Sequence, residues 1–339
     1  MIIIDNPAEE CPCSDASDII CCQYGHSTGI NDSLFDHQPG LKNWEGMTLR
    51  SQCTKKGFGM KDAEKSDATY VLGQTTAETQ RLQRQSQILY PFTRRLFVDA
   101  GIETGMKVLD VGSGAGDVAL VAADIVGATG SVVGVDINAA ILETASARAI
   151  AAGHTNVSFR AGDIRTIELD QDFDAVVGRL VLIYHGDPGD TLRTLSKQVR
   201  SGGVFAFHEI TFSSLKDGRR SVPYAPLYEQ AISWVYEAFK RTGAQMDMGF
   251  GLPGAFRAAG LPSPQMSAEL LMGSGPDWPG FDYLANTLRS VIPYLEQFGI
   301  ATAREIDIET FAQRMRDESI RLQSTCQLAV YPGAWARKP

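Results

Sequence analysis

Val108-Leu-Asp-Val-Gly-Ser-Gly-Ala-Gly-Asp117 decides how this chain is read. Val108 to Val111 has strand character and runs into glycines at 112, 114 and 116. The chain then turns helical through Val118-Ala-Leu-Val-Ala-Ala-Asp-Ile-Val126. A strand, a glycine turn and a helix make a cradle for an adenosine cofactor. The glycines let the backbone come close to a ligand, and the first turn of the helix offers unpaired N–H groups.

Outward from this stretch, strand and helix alternate. Gly130–Asp136 reads as a second strand, and Asn138 caps an alanine-rich helix from Ala139 to Ala152 that closes at Gly153. Val157–Arg160 and Phe173–Gly178 are the third and fourth strands, Thr191–Arg200 is a helix, and Val204–Ile210 is the fifth strand. Apolar strands in repeated β-α units predict an α/β fold, with a parallel sheet covered on both faces.

Before the sheet, apolar residues from Leu82 to Phe97 recur at helical spacing, with Pro91 expected to split the stretch into two helices. Beyond Ile210 the rhythm breaks. Helices are expected over Pro226–Arg241, Leu252–Ala259, Phe281–Phe298 (interrupted near Pro293) and Ile308–Gln323. Gln265–Met272 and Thr325–Tyr331 read as strands.

With 339 residues the chain can bury a large core, and 44% hydrophobic against 21% charged residues is ordinary globular composition. A net charge of −9 argues against a nucleic-acid partner. No window of about 18 uncharged apolar residues predicts a membrane span, and Met-Ile-Ile-Ile-Asp lacks the basic flank of a signal peptide. The expected location is therefore cytoplasmic; the sequence sets no oligomeric state. Cys11, Cys13, Cys21, Cys22 and Cys53 cluster near His26 and His37, but C-x-C followed by an adjacent pair lacks the two C-x₂-C hooks of a zinc ribbon. Reduced thiols and no metal site are expected there. No acidic cluster suggests a magnesium site either.

Acidic residues choose the cofactor. Asp136 closes the second strand, where a carboxylate can accept both ribose hydroxyls, which suits a nicotinamide dinucleotide equally well. The third glycine of the dinucleotide fingerprint, however, is replaced by Asp117. Asp163 adds an acid at the end of the third strand, in reach of an adenine amino group. Acids at 110, 136 and 163 suit S-adenosylmethionine better.

Residues 106 to about 210 resemble a class I S-adenosylmethionine-dependent methyltransferase in Val108–Gly116, Val133–Asp136, Gly162-Asp163-Ile164, Phe173–Leu182 and Arg200–Phe207. Residues 70–105 and Ala329–Arg337 are similar to the ubiquinone-biosynthesis-like, small-molecule branch. The resemblance implies a doubly wound, mostly parallel seven-stranded Rossmann-like sheet with N-terminal helices and a helical lid insertion after the fifth strand. The implied organisation is a loosely ordered extension over 1–65, N-terminal helices over 66–105, the cofactor-binding core over 106–210, a mainly helical lid over 211–300, and a C-terminal helix and last strand over 301–339.

It also implies roles by position. Gly112 and Gly114 would pass the methionine portion, and Asp110 would orient the loop and the cofactor's amino group. Asp136 would bind the ribose with Ile137 on the adenine, and Asp163 would accept from the adenine amino group with Ile164 beside it. Arg179 and Leu180 would line the sulfonium side, with Gln87 and Tyr90 at the methionyl end.

His185, after the fourth strand, and His208, at the end of the fifth, stand where a general base would stand. Tyr184, Tyr224 and Trp234 are candidate acceptor contacts, among aromatics suited to an apolar, aromatic or secondary-metabolite-like molecule. The expected reaction is methyl transfer from S-adenosyl-L-methionine to a small organic acceptor, at oxygen before nitrogen or carbon, leaving S-adenosyl-L-homocysteine. The rivals are an NAD-dependent oxidoreductase and a non-catalytic cofactor-binding partner subunit.

Overall fold

In a computed structural model the described residues are 76–169, 172–216 and 218–339. The cysteine-containing extension and its expected lack of a metal site lie outside them. The chain runs α1 (Thr76–Asp99), β1 (Lys107–Val111), α2 (Asp117–Val126), β2 (Ser131–Asp136), α3 (Ala139–Ala151), β3 (Val157–Ala161), β4 (Phe173–Arg179), α4 (Pro188–Ser196) and β5 (Val199–His208). It continues through α5 (Ser213–Lys216), β6 (Ser221–Val222), α6 (Pro226–Arg241), α7 (Met248–Ala258), β7 (Gln265–Gly273), α8 (Gly280–Gln297), α9 (Ala303–Ile306), α10 (Ile308–Arg321) and β8 (Thr325–Arg337).

The strands form one eight-stranded sheet in the order β3-β2-β1-β4-β5-β8-β6, with β7 also paired to β8. β1 to β5 are parallel, and β8 runs antiparallel to β5, β6 and β7. The eighth strand beyond the seven expected is the two-residue β6. Alternation along each strand sorts the core into two layers. Val108, Val132, Ala175, Val177, Val204 and Ala206 pack toward α1 and α2. Leu109, Val111, Val135, Val176, Phe205 and Phe207 face the larger core of the later helices.

Two expected helix breaks do not occur. α1 continues through Pro91 as one helix, and α8 continues through Pro293. An interior proline costs about 3 kcal/mol, but residues on both sides of each are buried: Leu89 with Leu96 and Phe97 in α1, Leu288 with Leu295 in α8. At about 1.5–3 kcal/mol per buried side chain, that packing outweighs the lost backbone bond. α4 starts earlier than expected because Asp187 caps it, its side chain accepting from the Asp190 amide, and Pro188 stands in its first turn. β5 correspondingly starts at Val199 rather than Val204.

Strand order reverses at β1, which neighbours both β2 and β4. Such a switch point opens a crevice beyond the carboxyl ends of the strands, and a cavity among the described residues lies there.

Candidate cofactor and acceptor site

The cavity, of about 460 Å³, has two parts. The first is built on the loops after β1, β2 and β3. Gly112, Gly114 and Gly116 all have positive φ (66°, 51° and 82°), so the chain can coil tightly before α2. Gly112 also touches the loop after β4, since a Cβ there would sit 2.5 Å from Val181 Cγ2. Gly116 caps α2 with no side-chain hydrogen bond, and Asp117 and Val118 of its first turn line the cavity. Asp117, expected to discriminate against a dinucleotide, lines the cavity and pairs with Arg148 at 2.6 Å.

Asp136 ties the cradle together. One carboxylate oxygen accepts from the Gly114 amide at 2.8 Å, the other from the Asn138 amide at 2.9 Å. A carboxylate has about four acceptor positions, so two remain for a ribose diol. Ile137, 75% exposed, offers a bare apolar face at the cavity edge for a flat base. Asp163 and Ile164 also line the wall. The Asp163 carboxylate is already held by Arg165, at 3.0 Å and 2.6 Å, and that bond keeps it below the usual carboxylate range. An adenine amino group placed there would have to share Asp163 with Arg165, a residue not expected from the sequence.

Asp110 does not line the cavity; it is wholly buried beneath the loop. Burial pushes its carboxyl up to about 7, while the Ser113 hydroxyl and the Arg179 guanidinium pull the other way. A bare cradle at Gly112, an open helix N-terminus, a ribose-spaced acid and an exposed apolar face fit S-adenosylmethionine. The loop after β1, Asp136 and Ile137 would hold it.

The second part is a chamber whose walls come from distant segments: Ile183 after β4, Phe212 and Leu215 at α5, Ile232, Val235 and Phe239 on α6, Leu284 on α8 and Leu328 on β8. Its wall is mainly aliphatic, with Gln85, Tyr283, Thr287 and Tyr331 as polar members. Apart from Phe212, one of the aromatics beyond Ile210 read as suited to covering the acceptor, none of these was expected at the site. Arg179 and Leu180 also line the cavity, with Arg179 donating to Thr93 Oγ1 at 3.0 Å and Leu180 in a left-handed conformation at φ 55°.

The acceptor-side expectations divide. His185 and Tyr184 line the cavity, and His185 Nδ1 lies 3.2 Å from Thr191 Oγ1. His208 does not: it is 2% exposed, still inside β5, with its ring edge-on to Tyr331 at 5.9 Å. Burial first, then the Arg179 charge, pushes the imidazole down to about 3, so it stays neutral and has no access to a ligand.

Tyr224 is half exposed beneath Arg219, and Trp234 packs on Phe311 at 5.9 Å; neither lines the cavity. Tyr90 is turned outward, its hydroxyl 3.5 Å from Asp124. Gln87 is on α1, but its side chain lies outside the described residues.

Glu209 was not expected at all. It is fully buried, and one oxygen accepts from the Val181 and Leu182 amides at 3.0 and 2.8 Å, fixing the turn that carries Ile183, Tyr184 and His185. Burial pushes its carboxyl up from 4.5 to about 8. A carboxyl raised in the folded state gives stability that is complete below pH 4.5 and lost as pH rises through 8. Glu209→Gln keeps the acceptor oxygen and removes the titration. Between pH 5 and 9 its unfolding free energy is expected to fall less than the wild type's, by on the order of 2 kcal/mol in denaturant titrations. Parallel pH slopes for the two proteins would contradict this.

A family model described as a methyltransferase domain matches residues 102–240. The arsenite methyltransferase of Aquipseudomonas alcaligenes is 40% identical over 114 residues, 31% of this chain and 33% of that one. Aklanonic acid methyltransferase DauC of a Streptomyces species is 30% identical over 169 residues, 50% of this chain and 76% of that one. The ubiquinone/menaquinone biosynthesis C-methyltransferase of Pseudomonas savastanoi is 34% identical over 106 residues, 31% of this chain and 41% of that one. The matched region thus spans about a third of the arsenite enzyme but three quarters of the aklanonic acid enzyme. Among the described residues no helix is long and apolar enough to cross a membrane. The nicotinamide reading falls away, and the chain belongs to the S-adenosylmethionine-dependent methyltransferases.

Proposed function

We propose that this chain transfers the methyl group of S-adenosylmethionine to a small, largely apolar organic acceptor, at an oxygen whose proton His185 takes. One observation carries the reading: the cradle around Gly112 and Asp136 opens within the same cavity onto an aliphatic chamber. The cofactor, when bound, supplies an electrophilic methyl carbon. The protein then has to align the acceptor, keep water out and receive a proton where the acceptor carries one. Ile232, Val235 and Phe239 form one wall of the chamber, and α6 is read as part of a lid. The chamber has the character of a pocket for a ring system or short aliphatic body, not for a polymer chain.

The comparisons favour a second reading, methylation at carbon, because relatives include a quinone C-methyltransferase. The decisive experiment incubates the protein with a metabolite extract and methyl-labelled S-adenosylmethionine, then identifies the labelled product and atom by mass spectrometry. A labelled, apolar methyl ether or ester supports the oxygen reading, a C-methyl product the second, and labelled protein or nucleic acid sinks both.

The two histidines are separable. His185→Gln is expected to lower kcat about 100-fold, within the ordinary worth of a general base. His208→Gln, buried behind the cavity wall and not lining it, is expected to keep the shape of the pH–rate profile. An unchanged rate in His185→Gln removes the base and moves the reading to an acceptor that needs none.

A further inference from the structure

The geometry points to an oxygen-anchoring subsite in the chamber, made by Gln85, Tyr283 and Tyr331 beside Arg179, that seats an apolar acceptor by one hydroxyl, carbonyl or carboxylate oxygen. It rests on the methyl-transfer reading and adds the chemical class of the acceptor.

Three elements far apart in sequence bring these groups together. Gln85 Nε2 on α1 donates to the Tyr283 hydroxyl on α8 at 3.1 Å, and that hydroxyl lies 2.8 Å from the Tyr331 hydroxyl on β8. All three residues line the cavity and are buried: Gln85 is 5%, Tyr283 9% and Tyr331 1% exposed. Buried polar groups are expensive unless paired, so a polar chain concentrated on one wall of an aliphatic chamber fixes the orientation of whatever enters it.

The wall also carries positive potential. Arg179, at the end of β4, is close enough for both phenols and for Asp110 and Asp117 to feel its charge. Asp117 is 2.6 Å from Arg148, which shares its charge, and burial pushes the Asp110 carboxyl up, so neither cancels the guanidinium fully. Phenolic hydroxyls next to a cation favour an electron-rich oxygen over a second cation or a bare hydrocarbon edge. The same guanidinium is near Asp110 and Asp117, which flank the glycine loop, and near both phenols, so an oxygen seated here sits where cradle and chamber meet. The remaining walls, from Ile232, Val235, Phe239 and Leu328, take the apolar body.

Naphthalene and 2-naphthol are suitable probes, being alike in shape and differing by one hydroxyl. Each is titrated by fluorescence into the full chain saturated with S-adenosylhomocysteine. Wild-type protein is expected to bind 2-naphthol about 10-fold more tightly than naphthalene, the usual worth of one buried hydrogen bond. Tyr283→Phe and Tyr331→Phe, which remove only the oxygen, are expected to bring that ratio below about 3-fold while leaving affinity for S-adenosylhomocysteine within about 2-fold. Thermal unfolding checks that both variants fold, and Gln85→Leu serves as a third variant.

Equal binding of the two probes by the wild type, no binding of 2-naphthol, or a hydroxyl preference that survives both substitutions overturns the subsite. Failure of S-adenosylhomocysteine to bind the wild type instead overturns the methyl-transfer reading. The probe ratio, measured without it, then judges the anchor separately.

Discussion

Asp136→Ala is expected to lower the affinity for S-adenosylhomocysteine by about 100-fold or more in a calorimetric titration. The carboxylate does two jobs. It holds the Gly114 and Asn138 amides at 2.8 and 2.9 Å, and so fixes the glycine loop against the end of β2. It also lines the cavity, and its two remaining acceptor positions are the ones proposed to take the ribose diol. Hydrogen bonds to a charged group contribute about 1.5–3 kcal/mol each, and two lost together amount to at least about 3 kcal/mol. Each 1.4 kcal/mol is about tenfold in affinity, hence the expected factor. Asp136→Asn, which keeps one acceptor oxygen, should fall between. An affinity within about 3-fold of wild type in the alanine variant would remove Asp136 from the cofactor site. Tight binding of NAD by the wild type would reopen the nicotinamide reading.

How much of this could be read beforehand depended on where each residue sits. β1, β2 and the cap of α3 were legible because apolar runs, glycines and Asn138 mark them locally. Residues at the carboxyl ends of strands, such as Gly112, Asp136, Ile137, Asp163, Arg179 and His185, line the cavity because the topology sends every such end to one crevice. His208 broke the rule for a simple reason: β5 reaches to it, and it pairs with Gly333 on β8 instead of clearing the sheet.

On α6 the error was one of helical phase. Ile232, Val235 and Phe239 share the face that meets the cavity, at spacings of three and four, whereas Trp234 points to the other side, onto Phe311. Aromatic content pointed to Trp234, but periodicity would have chosen the apolar face of Ile232, Val235 and Phe239. Pro91 and Pro293 misled in the opposite way, a strong local signal overruled by packing on both sides. The Gln85–Tyr283–Tyr331 chain had no local signal. Its hydrogen-bonded pairs lie 198 and 48 residues apart in sequence, and only the folded sheet brings them together.

Gly112→Ala is the second change expected to act strongly, on cofactor affinity and on stability together. At φ 66° an alanine costs roughly 1–2 kcal/mol in the left-handed region. Its methyl would also lie 2.5 Å from Val181 Cγ2 and 3.0 Å from Val181 Cβ. Val181 cannot easily withdraw, because Glu209 holds its amide at 3.0 Å and that of Leu182 at 2.8 Å. The glycine loop must move instead, carrying Gly114 off Asp136. The expected result is a loss of about 100-fold in S-adenosylhomocysteine affinity, with unfolding easier by about 2–3 kcal/mol, the range for overpacking plus backbone strain. Steric and conformational costs separate in a double-mutant cycle. Val181→Ala removes the clashing Cγ2, so Gly112→Ala/Val181→Ala should recover about 1–2 kcal/mol relative to additive behaviour, and the deficit that remains is the cost of positive φ together with the 3.0 Å approach to the retained Cβ. Strict additivity of the two substitutions would mean that the loops after β1 and β4 do not brace one another at the switch point, and that the cradle does not depend on the turn carrying His185.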